Sequence, residues 1–230
     1  MSSDNSSDHP SIPPQDPKQV QPLPEEKSPI KAFLTDNLPT VAVAILLAVG
    51  VRIFIAEPRF IPSSSMEPTL LIDDRLIIDK LSLRWSKPQR GEIVVFNPPN
   101  VPVVPDASKV YIKRVIGVPG DRISIFDGKV FVNDQPLNEP YIASPPTYTL
   151  PTQDDALCSS CFRPPNVESR NGRSYFTVPE GNYWVMGDNR NNSLDSHAWG
   201  FLPEENLVGR ATFRYWPLDK RAGNLTIPKY

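Results

Sequence analysis

Three regimes of hydrophobic patterning follow one another along the chain. Positions 1–36 are rich in Ser, Pro and charged residues and hold few large apolar side chains. Such a segment cannot bury enough surface to offset the entropy of ordering, and it is expected to be a disordered tail. It lacks the layout of a secretory signal, in which a short basic region leads directly into an apolar run. The apolar run starts at Asn37. NLPTVAVAILLAVGV carries no charge as far as Val51; Arg52 interrupts, and IFIA continues to Ala56. Residues 37–56 are apolar on every face and long enough for a helix to cross a bilayer core of about 30 Å. They predict a transmembrane helix ended by Glu57-Pro58, with Arg52 one turn from its end, where the side chain can snorkel to the headgroups. A buried core helix is the other element this pattern permits. Lys27 and Lys31 before the run, and Arg52 and Arg59 at its end, leave the positive-inside count near balance.

Beyond residue 57 the pattern is that of β-structure. RLIIDKL (75–81), EIVVF (92–96), VYIKRVIGV (110–118), RISIF (122–126), KVFVN (129–133), YWVM (183–186) and LVGRATFRYW (207–216) are short runs of Val, Ile, Phe and Tyr. Gly, Pro, Asn or Asp bound most of them. Asp127-Gly128 is a hairpin-turn signal. These runs predict a mainly β, antiparallel body. Residues 134–175 hold few apolar runs and read as an irregular insertion. It contains Cys158-Ser-Ser-Cys161. With no second CxxC and no CxxH, a zinc site is not expected, and no βαβ pattern supports a thioredoxin-like role. In an oxidising compartment the pair would form a local disulfide of modest entropic value, because the closed loop is so short.

Composition narrows the function. The chain has 230 residues and 28 prolines, far too many for a helical bundle. A formal net charge of -2 gives no sign of nucleic-acid binding. His9 and His197 are the two histidines, which leaves little for an imidazole-built metal site. GxSxG and HExxH signatures are absent. A Ser-His-Asp triad would have to use His197.

Three polar segments interrupt the apolar body. The first, Phe60–Leu70, places Ser63, Ser64 and Ser65 between two prolines, an extended loop that cannot continue a helix. The second, Val110–Asp121, sets Lys113 in an apolar strand. Alternation puts it on one face with Tyr111 and Val115, and Arg114 on the other with Ile112. A lysine on a core face is costly unless neutral or paired. The third, Met186–Phe201, is an Asn- and Asp-rich loop between strands. Taken singly, these segments would pass for a turn, a surface lysine and a polar loop. Together, and with the preceding apolar span, they closely resemble the type I signal peptidases, membrane-anchored Ser-Lys proteases that remove signal peptides. The matching motifs are Ser63–Leu70 (SSSMEPTL), Lys113–Asp121 (KRVIGVPGD) and Gly187–Ser196 (GDNRNNSLDS). Arg90–Phe96 looks like a further, structural family segment.

The resemblance implies a coiled antiparallel β-sheet domain, with Ser65 as nucleophile and Lys113 as its general base. A free lysine titrates near 10.4, so only about 1 in 2,500 is neutral at pH 7; burial would be needed to make it a usable base. It further implies an oxyanion hole from the Ser63 hydroxyl and the Ser65 backbone N–H. Ser193 would orient Lys113, Asp195 would support Ser193, and Asp188 would pair with Arg114. Ile61, Pro62, Met66, Leu70, Tyr111 and Ile112 match the wall that binds an extended substrate with small residues before the cut, as in Ala-x-Ala. No metal or organic cofactor is implied. The partners would be exported preproteins and a lipid bilayer, with the tail cytoplasmic and the body on the export side, in a periplasm or a thylakoid lumen. Two positions depart from the family pattern: His197 stands where many members have Arg, and Ser64 where many have Gly. A membrane-tethered module that binds exported chains without cutting them is the alternative outside enzymes, and a self-cleaving Ser-Lys repressor is the alternative within them.

Overall fold

The computed structural model describes residues 29–151, 162–170, 172–228 and 230, and divides the chain into two units, Met1–Ile45 and Leu46–Tyr230. Tail residues 1–28 and the Cys158–Cys161 pair lie outside the described residues.

Helix α1 runs from Pro29 to Phe54. It begins eight positions before the expected span, so residues 29–36 are helical rather than part of a disordered tail, and Ala56 belongs to the strand that follows. Pro29 suits the first helical position, where its missing N–H is not needed and its φ is already helical. Hydrophobicity marks only Asn37–Phe54, whose mean hydropathy is 1.9 and none of which is buried. An apolar stretch left uncovered among the described residues fits a lipid environment.

The rest is mainly β, and all of the described strand pairing is antiparallel. The strands are β1 (Ala56–Phe60), β2 (Arg75–Asp79), β3 (Ile93–Phe96), β4 (Tyr111–Gly117), β5 (Arg122–Phe126), β6 (Lys129–Val132), β7 (Gln135–Pro136), β8 (Val167–Arg170), β9 (Arg173–Thr177), β10 (Asn182–Met186), β11 (Leu202–Pro203), β12 (Leu207–Trp216) and β13 (Gly223–Asn224). One sheet has the order β1-β2-β12-β3-β4-β10-β11, with β13 paired to β12; the other is β7-β6-β5-β9-β8. Register breaks in β12 and β10 mark the irregularities that bend such a sheet. β1 carries Pro58 and lies at a sheet edge, where a missing N–H does no harm.

Two features carry the sequence into this topology. Asp127 (φ 49°) and Gly128 (φ 68°) make the tight turn between β5 and β6, as their pairing predicts. Residues 134–175 are less irregular than expected: β7, β8 and the start of β9 extend the second sheet from both sides. All four β8 residues are exposed, so Val167-Glu-Ser-Arg shows no apolar alternation from which to read a strand.

Three apolar clusters fix the frame. Ile61, Met66, Leu70, Leu76, Ile93 and Val95 pack beneath the start of the body. Val94, Phe96, Val115, Tyr183, Val185 and Trp199 fill the opposite side of β3 and β4. Ile116, Ile123, Val130, Phe176, Trp184 and Met186 join the two sheets. β3 is buried on both faces, so β4 beside it is held rigidly.

Candidate active site

Ser65 sits in a single 3₁₀ turn, Ser64–Met66, between β1 and β2. Met66 and Leu70 are fully buried and tie this turn to the core, while Ile61 N–H donates to Asp74 O at 2.8 Å. The turn is pinned from the other side by the loop after β10. Asn189 N–H donates to Ser65 O (3.1 Å), its Nδ2 to Ser64 O (3.2 Å), and Asn192 Nδ2 to Ser64 Oγ (3.0 Å). Ser64 has no positive φ, so serine fits there as well as glycine would.

Lys113 projects from β4 opposite Val94 of β3, and its Nζ stands 2.8 Å from Ser65 Oγ and 2.9 Å from Ile112 O. It is 4% exposed. Burial pushes its ammonium down to about 8, against the pull of Asp195 and Asp188, whose negative charges favour the protonated form. Ser63 Oγ makes a long contact of 3.4 Å to Ser65 Oγ. Ser65 and Lys113 open onto a cleft of about 720 Å³ between the Arg59–Ser65 segment and the start of β4. Ile61, Pro62, Tyr111 and Ile112 line it, together with Val95 and Leu194. Met66 and Leu70 do not: both are core residues, drawn inward by the same burial that fixes the Ser65 turn.

The Arg114 side chain donates to both Asp188 oxygens, Nε at 2.8 Å and Nη2 at 2.6 Å, and its Nη1 donates to Gly91 O at 2.7 Å. Both partners are buried, and the Tyr141 ring lies 4.1 Å from the guanidinium carbon. Gly91 belongs to the Arg90–Phe96 segment, whose Arg90 pairs with Asp121 at 2.8 Å and Glu92 with Arg210 at 2.7 Å.

Asp195 departs from the expected role. Its Oδ2 accepts from Gly187 N–H at 2.8 Å; its Oδ1 accepts from His197 N–H at 3.1 Å and lies 2.8 Å from His197 Nδ1. It thereby caps helix α2 (Ser196–Trp199). Burial alone would raise its carboxyl. The His197 bond and charge, the Gly187 N–H and the nearby Ser193 hydroxyl overturn that and hold it below the usual carboxylate range. Ser193 itself makes no hydrogen bond of ordinary geometry among the described residues, to Lys113 or to Asp195, although its hydroxyl is buried. The expected Ser193–Lys113 bond is therefore absent from this arrangement, and Ile112 O is the second partner of Lys113. His197 pairs with Asp195 but not with Ser65, so the two halves of a Ser-His-Asp triad are present without the bond that would join them.

Two residues of the Gly187–Ser196 motif had no role assigned from the sequence. Gly187 is required by space: a Cβ there would collide with Ser193 Oγ and the Ser65 carbonyl oxygen. Arg190 is fully buried, donates from Nε to Gly187 O at 3.0 Å, and pairs with Glu139. Among the described residues no cluster of His, Cys, Asp and Glu could hold a metal ion.

A hydroxyl facing a buried amine across an apolar, strand-lined cleft is the equipment of an acyl-transfer enzyme of the Ser-Lys type. Comparison with known proteins agrees. Residues 34–216 match the family described as signal peptidase, peptidase S26, and the chain belongs to that family. It is 48% identical to a probable signal peptidase I-2 of Synechocystis sp. over 81% of this chain and 75% of that protein. It is 40% identical to a signal peptidase I of Leptolyngbya laminosa over 99% of this chain and 98% of that one. A thylakoidal processing peptidase 1 of Arabidopsis thaliana is 38% identical over 77% of this chain and 47% of its own length. A crystal structure of a signal peptidase I from Enterococcus faecalis aligns with 55% of this chain and 98% of its own at 29% identity, with a TM-score of 0.37. That score is too low to bear on the fold, which rests on the strand pairing above.

Proposed function

We propose that this chain is a serine endopeptidase that removes signal peptides from exported preproteins, with Ser65 as nucleophile and Lys113 as general base. The observation that carries the reading is the 2.8 Å approach of Lys113 Nζ to Ser65 Oγ at the floor of an apolar cleft. Neutral Lys113 takes the Ser65 proton as Oγ attacks the scissile carbonyl carbon. The tetrahedral oxyanion is held by the Ser65 N–H and the Ser63 hydroxyl. Collapse breaks the C–N bond, Lys113 passes its proton to the leaving amine, and the signal peptide remains esterified to Ser65. Water then attacks the ester carbonyl carbon, again giving a proton to Lys113; the second tetrahedral intermediate collapses by breaking the bond to Ser65 Oγ, Lys113 returns the proton to that oxygen, and the signal peptide leaves with a new carboxylate.

The substrate lies extended between the Ile61-Pro62 segment and the start of β4, where backbone pairing gives affinity. Ile112, Tyr111, Val95 and Leu194 favour small apolar side chains before the cut, hence Ala-x-Ala sites. Helix α1 anchors the body to the bilayer from which signal peptides emerge, with the tail on the cytoplasmic side and the cleft on the export side. Cleavage of an Ala-x-Ala preprotein in detergent tests the chemistry. Wild type cuts, and folded Ser65→Ala and Lys113→Met do not. Retained cutting by Lys113→Met, with loss in His197→Ala, would move the base to His197. Protease digestion of sealed vesicles tests the orientation: the tail is clipped only from the cytoplasmic face.

A further inference from the structure

We propose that residues 139–148 are a brace for the catalytic loop, with Glu139 and Tyr148 as positioning residues that act on the Ser65–Lys113 pair through Gly187. The proposal rests on the Ser65–Lys113 reading. Gly187 passes between Ser193 and the Ser65 carbonyl so closely that it has no room for a side chain. In a close-packed interior a shift of its backbone is handed directly to the nucleophile's turn.

Both polar backbone atoms of Gly187 are tied, and both ties end in the same distant segment. Its N–H donates to Asp195 Oδ2; Asp195 Oδ1 meets His197 Nδ1; and the imidazole stacks on the Tyr148 ring, with centroids 4.5 Å apart and planes 21° apart. Its carbonyl accepts from Arg190 Nε, and the Arg190 Nη1 and Nη2 groups donate to the two Glu139 oxygens at 2.9 and 2.5 Å.

Between these ends the two stretches of chain are tied at further points. Ala143 N–H donates to Asp188 O at 3.0 Å. Asn191 Nδ2 donates to Pro145 O at 2.8 Å and Ser144 Oγ at 3.1 Å, and Asn191 Oδ1 accepts from Thr147 N–H at 2.9 Å and the Thr147 hydroxyl at 3.0 Å. Tyr141 covers Arg114, the partner of Asp188. The loop itself has only a 3₁₀ turn at Arg190–Asn192 and the single turn of α2, so its position comes from these side-chain ties. Tyr148 acts through its ring, because its buried hydroxyl has no hydrogen-bond partner among the described residues.

The test uses the full chain in detergent, with an Ala-x-Ala preprotein. It compares kcat, KM and the pH profile of wild type, Ser65→Ala, Tyr148→Phe, Tyr148→Leu and Glu139→Gln, with the folded fraction fixed by thermal melting. Tyr148→Phe keeps wild-type kcat. Tyr148→Leu and Glu139→Gln lower kcat about 10- to 100-fold, the scale of a misplacement of roughly 1 Å, with KM nearly unchanged. The acid limb of kcat/KM moves to higher pH as water reaches Lys113, whose facing groups are Ser65, the Tyr111 ring, Asp195 and Asp188. Glu139→Gln leaves the Arg190 charge unpaired in the interior and can fail to fold, whereas Tyr148→Leu changes no charge and alters a half-buried position. A folded Tyr148→Leu with wild-type kcat and pH profile overturns the brace. So does an equal loss in Tyr148→Phe, which would place the effect on the hydroxyl. Cleavage lost in Ser65→Ala but untouched in Tyr148→Leu overturns the brace alone; cleavage surviving Ser65→Ala overturns the Ser65 reading and the brace with it.

Discussion

Lys113 Nζ lies 2.8 Å from Ser65 Oγ in a site where burial, not a neighbouring cation, lowers its proton affinity to about 8. With the neutral amine as the proposed base, kcat/KM rises with pH and levels off above about pH 8. The same burial has a stability consequence with a definite sign. The folded chain binds fewer protons than the unfolded one between about pH 8 and the ordinary lysine value of 10.5. The stability penalty of burying the charged amine is therefore full below pH 8 and vanishes above the ordinary value. Lys113→Met removes it. The variant is inactive yet more stable than wild type by up to about 3 kcal/mol at neutral pH, less the lost Ile112 O bond, and the gain fades in strong alkali. Denaturant titrations at two pH values read this directly.

Arg114 and Asp188 behave in the opposite way. The guanidinium is matched in three directions, two to Asp188 and one to Gly91 O, with both residues buried. Asp188→Asn keeps the shape but leaves a buried cation without its anion, at a cost of about 3–5 kcal/mol. Arg114→Lys does not rescue the site, because an ammonium cannot reproduce the planar fork. A urea midpoint that barely moves in Asp188→Asn would mean the pair is not stabilising the loop.

How much of this was legible in the sequence depended on where the signal lay. The strands were readable because Val- and Ile-rich runs such as EIVVF and RISIF are bounded by turn residues, and Asp127-Gly128 gave its own turn. Lys113 stood out as a cation inside an apolar strand, whereas Ser65 and Asp188 were picked out by the resemblance of their motifs to those of the type I signal peptidases. The start of α1 was missed, since hydrophobicity marks the bilayer-length portion and not the polar first turns. Glu139, Tyr141 and Tyr148 were missed because they lie in a Pro- and Ser-rich stretch with no periodicity. Their importance comes from contacts with residues roughly thirty to fifty positions away, which no local pattern records. Met66 and Leu70 were placed on the cleft wall by motif alone, and the core claimed them.

That difference gives a separable prediction. Met66 is fully buried among Ile61, Leu70 and Leu76, so Met66→Ala costs about 2–5 kcal/mol and leaves the choice of residue before the cut unchanged. Ile112 lines the cleft and is only partly buried, so Ile112→Ala costs less and admits larger side chains. Peptide sets varied at the two positions before the cut, with melting curves alongside, distinguish the two. Altered specificity in Met66→Ala would return it to the wall.

The last prediction concerns Gly187 and Ser193. Gly187 has no positive φ, so its need for glycine is spatial: a Cβ would meet Ser193 Oγ, Ser193 Cβ at 2.6 Å and the Ser65 carbonyl oxygen. The first two belong to a short side chain, and the third is backbone. Gly187→Ala therefore abolishes cleavage, and adding Ser193→Gly, which removes the first two collisions, does not restore it. Recovery in the double variant would show that the serine side chain, and not the nucleophile's own backbone, sets the limit. Ser193→Ala is a milder probe. Its hydroxyl is buried without a hydrogen bond of ordinary geometry, so removing it costs less than the ~0.5–1.5 kcal/mol of a well-formed bond. A fall in kcat in that variant, with KM and stability held, places the hydroxyl on Lys113 once substrate has closed the cleft. An unchanged kcat leaves Ser65 and Lys113 to work without it.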